Sequence, residues 1–176
     1  WGHYYHYDGE GRLKNVITSG PWVAGQVAAI DTVGRTIYLY GFGREKGVDP
    51  YYYMLYKASI DKEGVTLLTP ENAQHGVSFL SSKRYFVDTY SRDMEPKIVL
   101  RNNQGKMIME LAKPDTRRLK ELGWRAPERF TVKAADGLTD IYGIMWKPAD
   151  FDPNKKYPII SSVYPGPFFE YLFPCG

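Results

Sequence analysis

A single cysteine, Cys175, stands among 176 residues, so no disulfide can close within the chain. No apolar run approaches the roughly 20 residues of a membrane-spanning helix. The nucleophile elbow Gly-x-Ser-x-Gly, the turn that presents a catalytic serine at the top of a hydrolase sheet, does not occur anywhere in the sequence. Charge of neither sign dominates: 23 Lys and Arg against 20 Asp and Glu leave a net +3. The one basic cluster, Arg117-Arg118-Leu119-Lys120, is too small for a nucleic-acid footprint and reads as a solvated helix face. An initiator Met and a secretory leader are also missing. The chain opens at Trp1-Gly2-His3 within a strand-like pattern and stops at Pro174-Cys175-Gly176. Both ends read as cut, and a segment of a longer protein is expected.

What the chain does contain is aromatic residues and turn formers. Fifteen Tyr, eight Phe and four Trp are spread between 17 Gly and 12 Pro, with 43% hydrophobic and 24% charged residues overall. That balance excludes disorder. Aromatics between Gly, Pro and Asp turns are the composition of a mainly β protein with many short strands.

The strands recur. Residues 3–7 and 13–18 flank the turn Asp8-Gly9-Glu10-Gly11. Residues 27–30, 36–40, 52–60 and 65–68 form one group of four, with turns at 31–35 and 61–64 and a longer loop at 41–50. Residues 77–79, 84–90, 97–101 and 107–111 form a second group. The second segments of the two groups begin 48 residues apart, at Thr36 and Arg84, and the last ones 41 apart, at Thr66 and Met107. Four strands in about 40–50 residues is the arithmetic of a β-propeller blade, with a β-sandwich as the structural rival.

The pattern changes after Lys113. Asp115 is placed to cap a short helix over residues 116–122, and Gly123 to stop it. Residues 130–133 and 140–146 then flank the turn Asp136-Gly137. A polar loop leads to Tyr157-Pro158-Ile159-Ile160-Ser161-Ser162-Val163-Tyr164, a nearly uninterrupted apolar run that predicts a strand buried on both faces of an α/β sheet. The expected organisation is blades over 1–113, a helical connector over 114–126, and the first strands of a second domain over 127–176.

Few residues suggest chemistry by type and spacing. His3 and His6 lie three apart on a strand, hence on opposite faces, which argues against one shared metal ion. His75 and Asp88, thirteen residues apart, lack an accompanying nucleophile motif, so a catalytic triad gains little support. Arg44 and Glu45 read as an exposed charge pair in the longest loop. Tyr51-Tyr52-Tyr53 alternates inward and outward and is accounted for by packing between blades.

Three stretches carry a resemblance. They are Gly41-Phe42-Gly43-Arg44-Glu45 with Asp49-Pro50-Tyr51-Tyr52 and Leu55-Tyr56; Phe86-Val87-Asp88-Thr89-Tyr90-Ser91; and Asp136 to Gly143 with Lys147-Pro148, Phe151-Asp152, Lys155-Lys156-Tyr157-Pro158 and Val163-Tyr164-Pro165-Gly166-Pro167. In this order they resemble the dipeptidyl peptidase IV branch of the prolyl oligopeptidase family. The match weakens from Phe168 to Gly176. The resemblance implies the last blades of a propeller followed by the start of an α/β-hydrolase domain. It further implies a serine exopeptidase that removes N-terminal dipeptides after Pro or Ala. It implies peptide substrates, no cofactor or metal, and a periplasmic, secreted or extracellular location, and it allows a homodimer of the full-length protein. The nucleophile and its Asp and His partners would lie outside these residues, so the segment alone is expected to be inactive. Tyr164 matches the family tyrosine that helps to form the oxyanion hole, where a phenol that stays protonated at neutral pH donates to the developing charge. Two alternatives stay open: a non-catalytic propeller-type binding module with a hydrolase remnant, and a relative of the acylaminoacyl-peptidase kind.

Overall fold

The computed structural model of the chain describes residues 2–91 and 93–163. Among the described residues, twelve strands and one short helix divide between two compact units, residues 1–91 with 96–114 and residues 92–95 with 115–176.

The first unit holds three antiparallel sheets. Strands β1 (Tyr5–Tyr7) and β2 (Leu13–Val16) form a hairpin. Strands β3 (Val23–Asp31), β4 (Thr36–Phe42), β5 (Met54–Ser59) and β6 (Val65–Leu67) pair in sequence order. So do β7 (Gln74–Phe79), β8 (Tyr85–Ser91), β9 (Lys97–Asn102) and β10 (Met107–Ala112). Two successive four-stranded meanders match the blade arithmetic of the sequence. β3 starts earlier and β4 runs further than the sequence suggests, because Val23 pairs with Phe42 and Ala24 with Gly41 at that end.

Two aromatic cores separate the three sheets. Ile17 and Trp22 pack with Ile37, Leu39, Tyr52, Met54 and Tyr56 in one. Tyr38, Leu55 and Leu68 meet Phe86, Val77 and Phe79 in the other. Along β4, Ile37 and Leu39 enter the first core while Tyr38 enters the second, as the two-residue period of a strand requires. Strands covered on both faces, β4 and β5, therefore have no exposed position. Gly41 is demanded by this packing: a Cβ there would lie 2.5 Å from the Trp22 ring.

One turn device appears twice. Asp8 Oδ1 accepts the N–H groups of Glu10 and Arg12, at 3.0 and 2.9 Å. Asn102 Oδ1 accepts those of Gln104 and Lys106, both at 3.0 Å. Three residues after each acceptor stands a glycine in the left-handed region, Gly11 at φ 80° and Gly105 at φ 83°. The β1–β2 hairpin thus has the turn geometry of β9–β10, the outer half of a blade. The Arg12 amide and guanidinium hold the Asp8 carboxyl below the usual carboxylate range.

In the second unit, helix α1 (Arg117–Glu121) has Thr116 at its N-cap, one residue later than the sequence suggests. Asp115 still accepts the Arg117 N–H, at 3.1 Å. The helix buries no residue, and Leu119 and Leu122 stay exposed. Gly123, at φ 87°, ends it. Strands β11 (Glu128–Lys133) and β12 (Asp140–Met145) form a hairpin in which the Phe130 ring lies over Gly143, its cross-strand partner. Asp136 Oδ1 shapes the turn by accepting the Leu138 and Thr139 N–H groups, at 2.8 and 2.9 Å.

The expected buried strand over residues 157–164 is not formed in its described part, residues 157–163. Ile159 and Ile160 are 89% and 95% exposed. A strand of a parallel sheet takes its hydrogen bonds from strands distant in sequence, and no described strand pairs with this one. No portion of an α/β-hydrolase sheet is evident among the described residues; the fold they show is mainly β.

Candidate functional site

The most tightly organised polar group spans the second blade. His75 on β7, Asp88 on β8 and Arg101 on β9 are side chains of three adjacent strands, and Glu71 precedes β7. His75 Nδ1 lies 2.9 Å from Asp88 Oδ1, with both side chains fully buried. Arg101 Nε donates to Asp88 Oδ2 at 2.8 Å, and another guanidinium nitrogen to Glu71 Oε1 at 2.7 Å. His75 Nε2 faces the Glu71 carbonyl at 3.1 Å. Both ring nitrogens thus lie within hydrogen-bond distance of oxygen atoms. Burial pulls the Arg101 guanidinium down, but the Glu71 and Asp88 carboxylates outweigh it and hold the group above its ordinary value.

Glu71, His75 and Asp88 bring three potential metal-ligand atoms within 4.8 Å of one another. Arg101 already supplies the cation to both carboxylates, and His75 Nδ1 is spent on Asp88. The arrangement suits an ion-paired structural knot better than a metal centre. It does not form a triad either: among the described residues no serine or cysteine bonds the ring, whose other nitrogen faces the Glu71 carbonyl.

The other histidines are far from this group chemically. His3 Nδ1 meets Thr18 Oγ1 at 3.2 Å and its Nε2 the Gly20 carbonyl at 2.9 Å. His6 Nδ1 meets Asn15 Oδ1 at 3.2 Å. Each has its own partners on the β1–β2 hairpin and the segment after it.

Arg44 and Glu45 are not the simple exposed pair that the sequence suggests. Their ion pair, 2.6 Å long, is anchored on the first core. The Arg44 guanidinium stands 5.7 Å from the Tyr56 ring and 6.0 Å from the Trp22 ring, within cation–π range. The Tyr56 hydroxyl donates to Glu45 Oε1 at 3.1 Å. Burial, reinforced by the Glu45 carboxylate, pushes the Tyr56 hydroxyl well above the ordinary tyrosine range.

In the second unit, the stretch with the most specific resemblance forms a local stack. Phe151 and Tyr157 lie 5.2 Å apart with nearly parallel rings, and Lys147 Nζ sits 4.8 Å above Phe151. The Tyr157 hydroxyl accepts the Asp152 N–H at 3.0 Å. Lys147, Phe151, Asp152 and Tyr157 thus cooperate in one turn, a physical reason for that residue spacing. Tyr164, the candidate oxyanion donor, lies outside the described residues.

Comparison with known proteins agrees with this architecture. Residues 1–97 match the model of the dipeptidyl peptidase IV (DPP IV) N-terminal region. Human dipeptidyl peptidase 8 is 29% identical over 171 residues, covering 86% of this chain and 18% of the relative. A probable dipeptidyl peptidase 4 of Trichophyton verrucosum is 26% identical over 173 residues, covering 95% of this chain and 22% of the relative. The crystal structure of Porphyromonas gingivalis dipeptidyl peptidase 4 shares the fold over 89% of this chain, with a TM-score of 0.69 and 23% identity, and 22% of its own length is covered. The chain spans about a fifth of the length of these relatives. Stacked four-stranded antiparallel sheets and a family match over more than half of its residues lead to one conclusion: this chain belongs to the dipeptidyl peptidase IV N-terminal region family.

Proposed function

We propose that this chain is the stretch of a dipeptidyl-peptidase-type serine exopeptidase in which the last propeller blades lead into the catalytic domain. Residues 1–113 are assigned to the blades, 114–126 to a connector and 127–176 to the first strands of an α/β-hydrolase. The observation that carries this reading is collinear similarity to dipeptidyl peptidases 8 and 4 over 86% and 95% of the chain, past the end of the propeller match at residue 97. The whole enzyme would release N-terminal dipeptides after Pro or Ala from peptides outside the cytoplasm.

Such an enzyme works by attack of a serine hydroxyl on the scissile carbonyl. The elbow that would present this serine is not among the 176 residues. The chain's own contribution to the chemistry is Tyr164, whose hydroxyl donates to the oxyanion of the tetrahedral intermediate. That bond strengthens as negative charge gathers on oxygen, so it lowers the barrier rather than tightening ground-state binding.

A serine-directed fluorophosphonate tests the reading. It should label the native full-length protein and leave the 176-residue chain unlabelled. Absence of label on the folded full-length protein, or specific labelling of the 176-residue chain, overturns it.

A further inference from the structure

A cavity of about 420 Å³, within the roughly 300–1,000 Å³ of small-molecule sites, opens between the first strands of the two blades. Gly25 and Gln26 of β3, Tyr40 and Phe42 of β4, Tyr53, and Gln74 and His75 of β7 line it. Its shape follows from a bulge. Ala24 pairs with Gly41 and Val27 with Leu39, so Gly25 and Gln26 together oppose Tyr40. Bulges of this kind re-aim a side chain, here Gln26. At Gly25 the Phe42 ring closes on the backbone, where a Cβ would stand 2.9 Å from it. The Tyr53 ring lies 5.8 Å from Tyr40 and 5.4 Å from Phe42, tilted 43° to each, so the three rings form a curved wall and not a flat slot.

The polar groups of this wall both donate and accept. The exposed Gln26 amide has no partner among the described residues, so its oxygen is open to a donor and its NH₂ to an acceptor. Gln74 Oε1 accepts the Tyr53 N–H at 3.0 Å, and the Tyr40 oxygen accepts the Val77 N–H at 2.7 Å. These bonds fix both side chains, while the Gln74 NH₂ and the Tyr40 O–H have no acceptor among the described residues. His75 carries its ring to the opposite face of β7, fully buried against Asp88, and its backbone N–H donates to the Tyr53 carbonyl at 3.2 Å. The described lining therefore holds no carboxylate, no Lys or Arg side chain and no free imidazole.

From this we infer a binding site for a neutral sugar, a mono- or disaccharide of pyranose rings. A pyranose carries no charge, and its puckered C–H face follows a curved aromatic wall. Each of its hydroxyls donates and accepts. Neighbouring hydroxyls therefore match an amide that offers an oxygen and an NH₂ side by side, as Gln26 does. A nucleobase would also meet the amides, but it is flat, and rings tilted by 43° let it stack on only one of them. A nucleotide would bring a formal charge that no lining side chain balances. The inference does not rest on the peptidase reading.

The test uses the full-length protein and three uncharged disaccharides, maltose, cellobiose and lactose, in separate calorimetric titrations. At least one should bind saturably. Gln26→Ala should raise its Kd on the order of tenfold, through loss of the amide's hydrogen bonds. Tyr53→Leu keeps an apolar side chain, removes the flat ring and should weaken binding to a similar degree. Tyr7→Ala on the β1–β2 hairpin should leave it unchanged. Gln26 is exposed, so its variant retains the fold even if Tyr53→Leu does not. Absence of saturable binding by all three sugars, unchanged affinity in Gln26→Ala, or tighter binding of adenosine than of the best disaccharide overturns the assignment.

Discussion

His75 and Asp88 meet across adjacent strands with 2.9 Å between Nδ1 and Oδ1, and neither side chain is exposed to solvent. Because Asp88 also receives Arg101, one carboxylate ties together β7, β8 and β9. Removing it leaves Arg101, 3% exposed, with Glu71 as its remaining ion partner. Asp88→Ala should cost about 3–5 kcal/mol, the range for breaking a buried ion pair from one side. Urea unfolding followed by far-UV circular dichroism measures it, and a loss below about 1 kcal/mol, typical of an exposed pair, would contradict the structural role.

The packing of Gly41 beneath Trp22 and Tyr56 gives a second test. A Cβ at Gly41 would come within 2.5 Å of Trp22 and 3.0 Å of Tyr56, both ring atoms held in the first core. Gly41→Ala should destabilise by about 1–3 kcal/mol, as overpacked cores do. Gly9→Ala, where a Cβ meets nothing within 4 Å, serves as the neutral control. Equal melting temperatures for the two variants would contradict the stacking of β4 against Trp22.

The buried tyrosines set an alkaline limit. Burial raises the hydroxyls of Tyr38, Tyr40 and Tyr56 above the ordinary value, with Glu45 adding to the effect at Tyr56. A raised folded value means that the folded chain holds these protons more tightly than the unfolded chain does. The resulting stability is complete below the unfolded tyrosine value of about 10 and falls as pH rises above it. Urea midpoints should therefore decline from about pH 10 upward, and Tyr56→Phe should flatten that decline. An unchanged slope in Tyr56→Phe would show that Tyr56 is not a source of it.

Much of the propeller portion was legible in the sequence because its hairpins are local. Asp8 with Gly11 and Asn102 with Gly105 announce their turns by residue type alone, and the aromatic runs at 36–40 and 84–90 mark central strands. The knot around Asp88 was not legible, since Glu71 and Arg101 lie 30 residues apart and meet only through strand pairing. A signal was nonetheless there: Asp88 shares the inward phase of Phe86 and Tyr90, and Arg101 that of Val99. A charged residue in an apolar phase needs a partner of opposite sign in the same layer. The anchoring of Arg44 was hidden for a related reason, because Trp22 reaches it from the segment before β3 and Tyr56 from β5. The apolar run at 157–163 misled because its composition describes a buried strand, whereas forming one requires distant strands to pair with it.

Tyr164 carries the mechanistic part of the proposal. In the full-length enzyme, Tyr164→Phe keeps the ring and removes the donor. It should lower kcat on the order of 10²–10³, about 2.7–4 kcal/mol, with little change in KM. Tyr85→Phe, on a propeller strand, should leave kcat nearly unchanged. Retention of more than about a third of wild-type kcat, far above the loss for an oxyanion donor, would return Tyr164 to a packing role.

The central claim is that this chain is part of an enzyme that cuts dipeptides from free peptide N-termini. The direct measurement is mass spectrometry of the products when the full-length protein is incubated with a peptide beginning Gly-Pro and with its N-acetylated form. Release of the Gly-Pro dipeptide from the free peptide alone is the expected result. Release of an N-acetylated amino acid would instead mark a relative of the acylaminoacyl-peptidase kind, and an intact free peptide would mark a non-catalytic propeller module. Either outcome contradicts the claim.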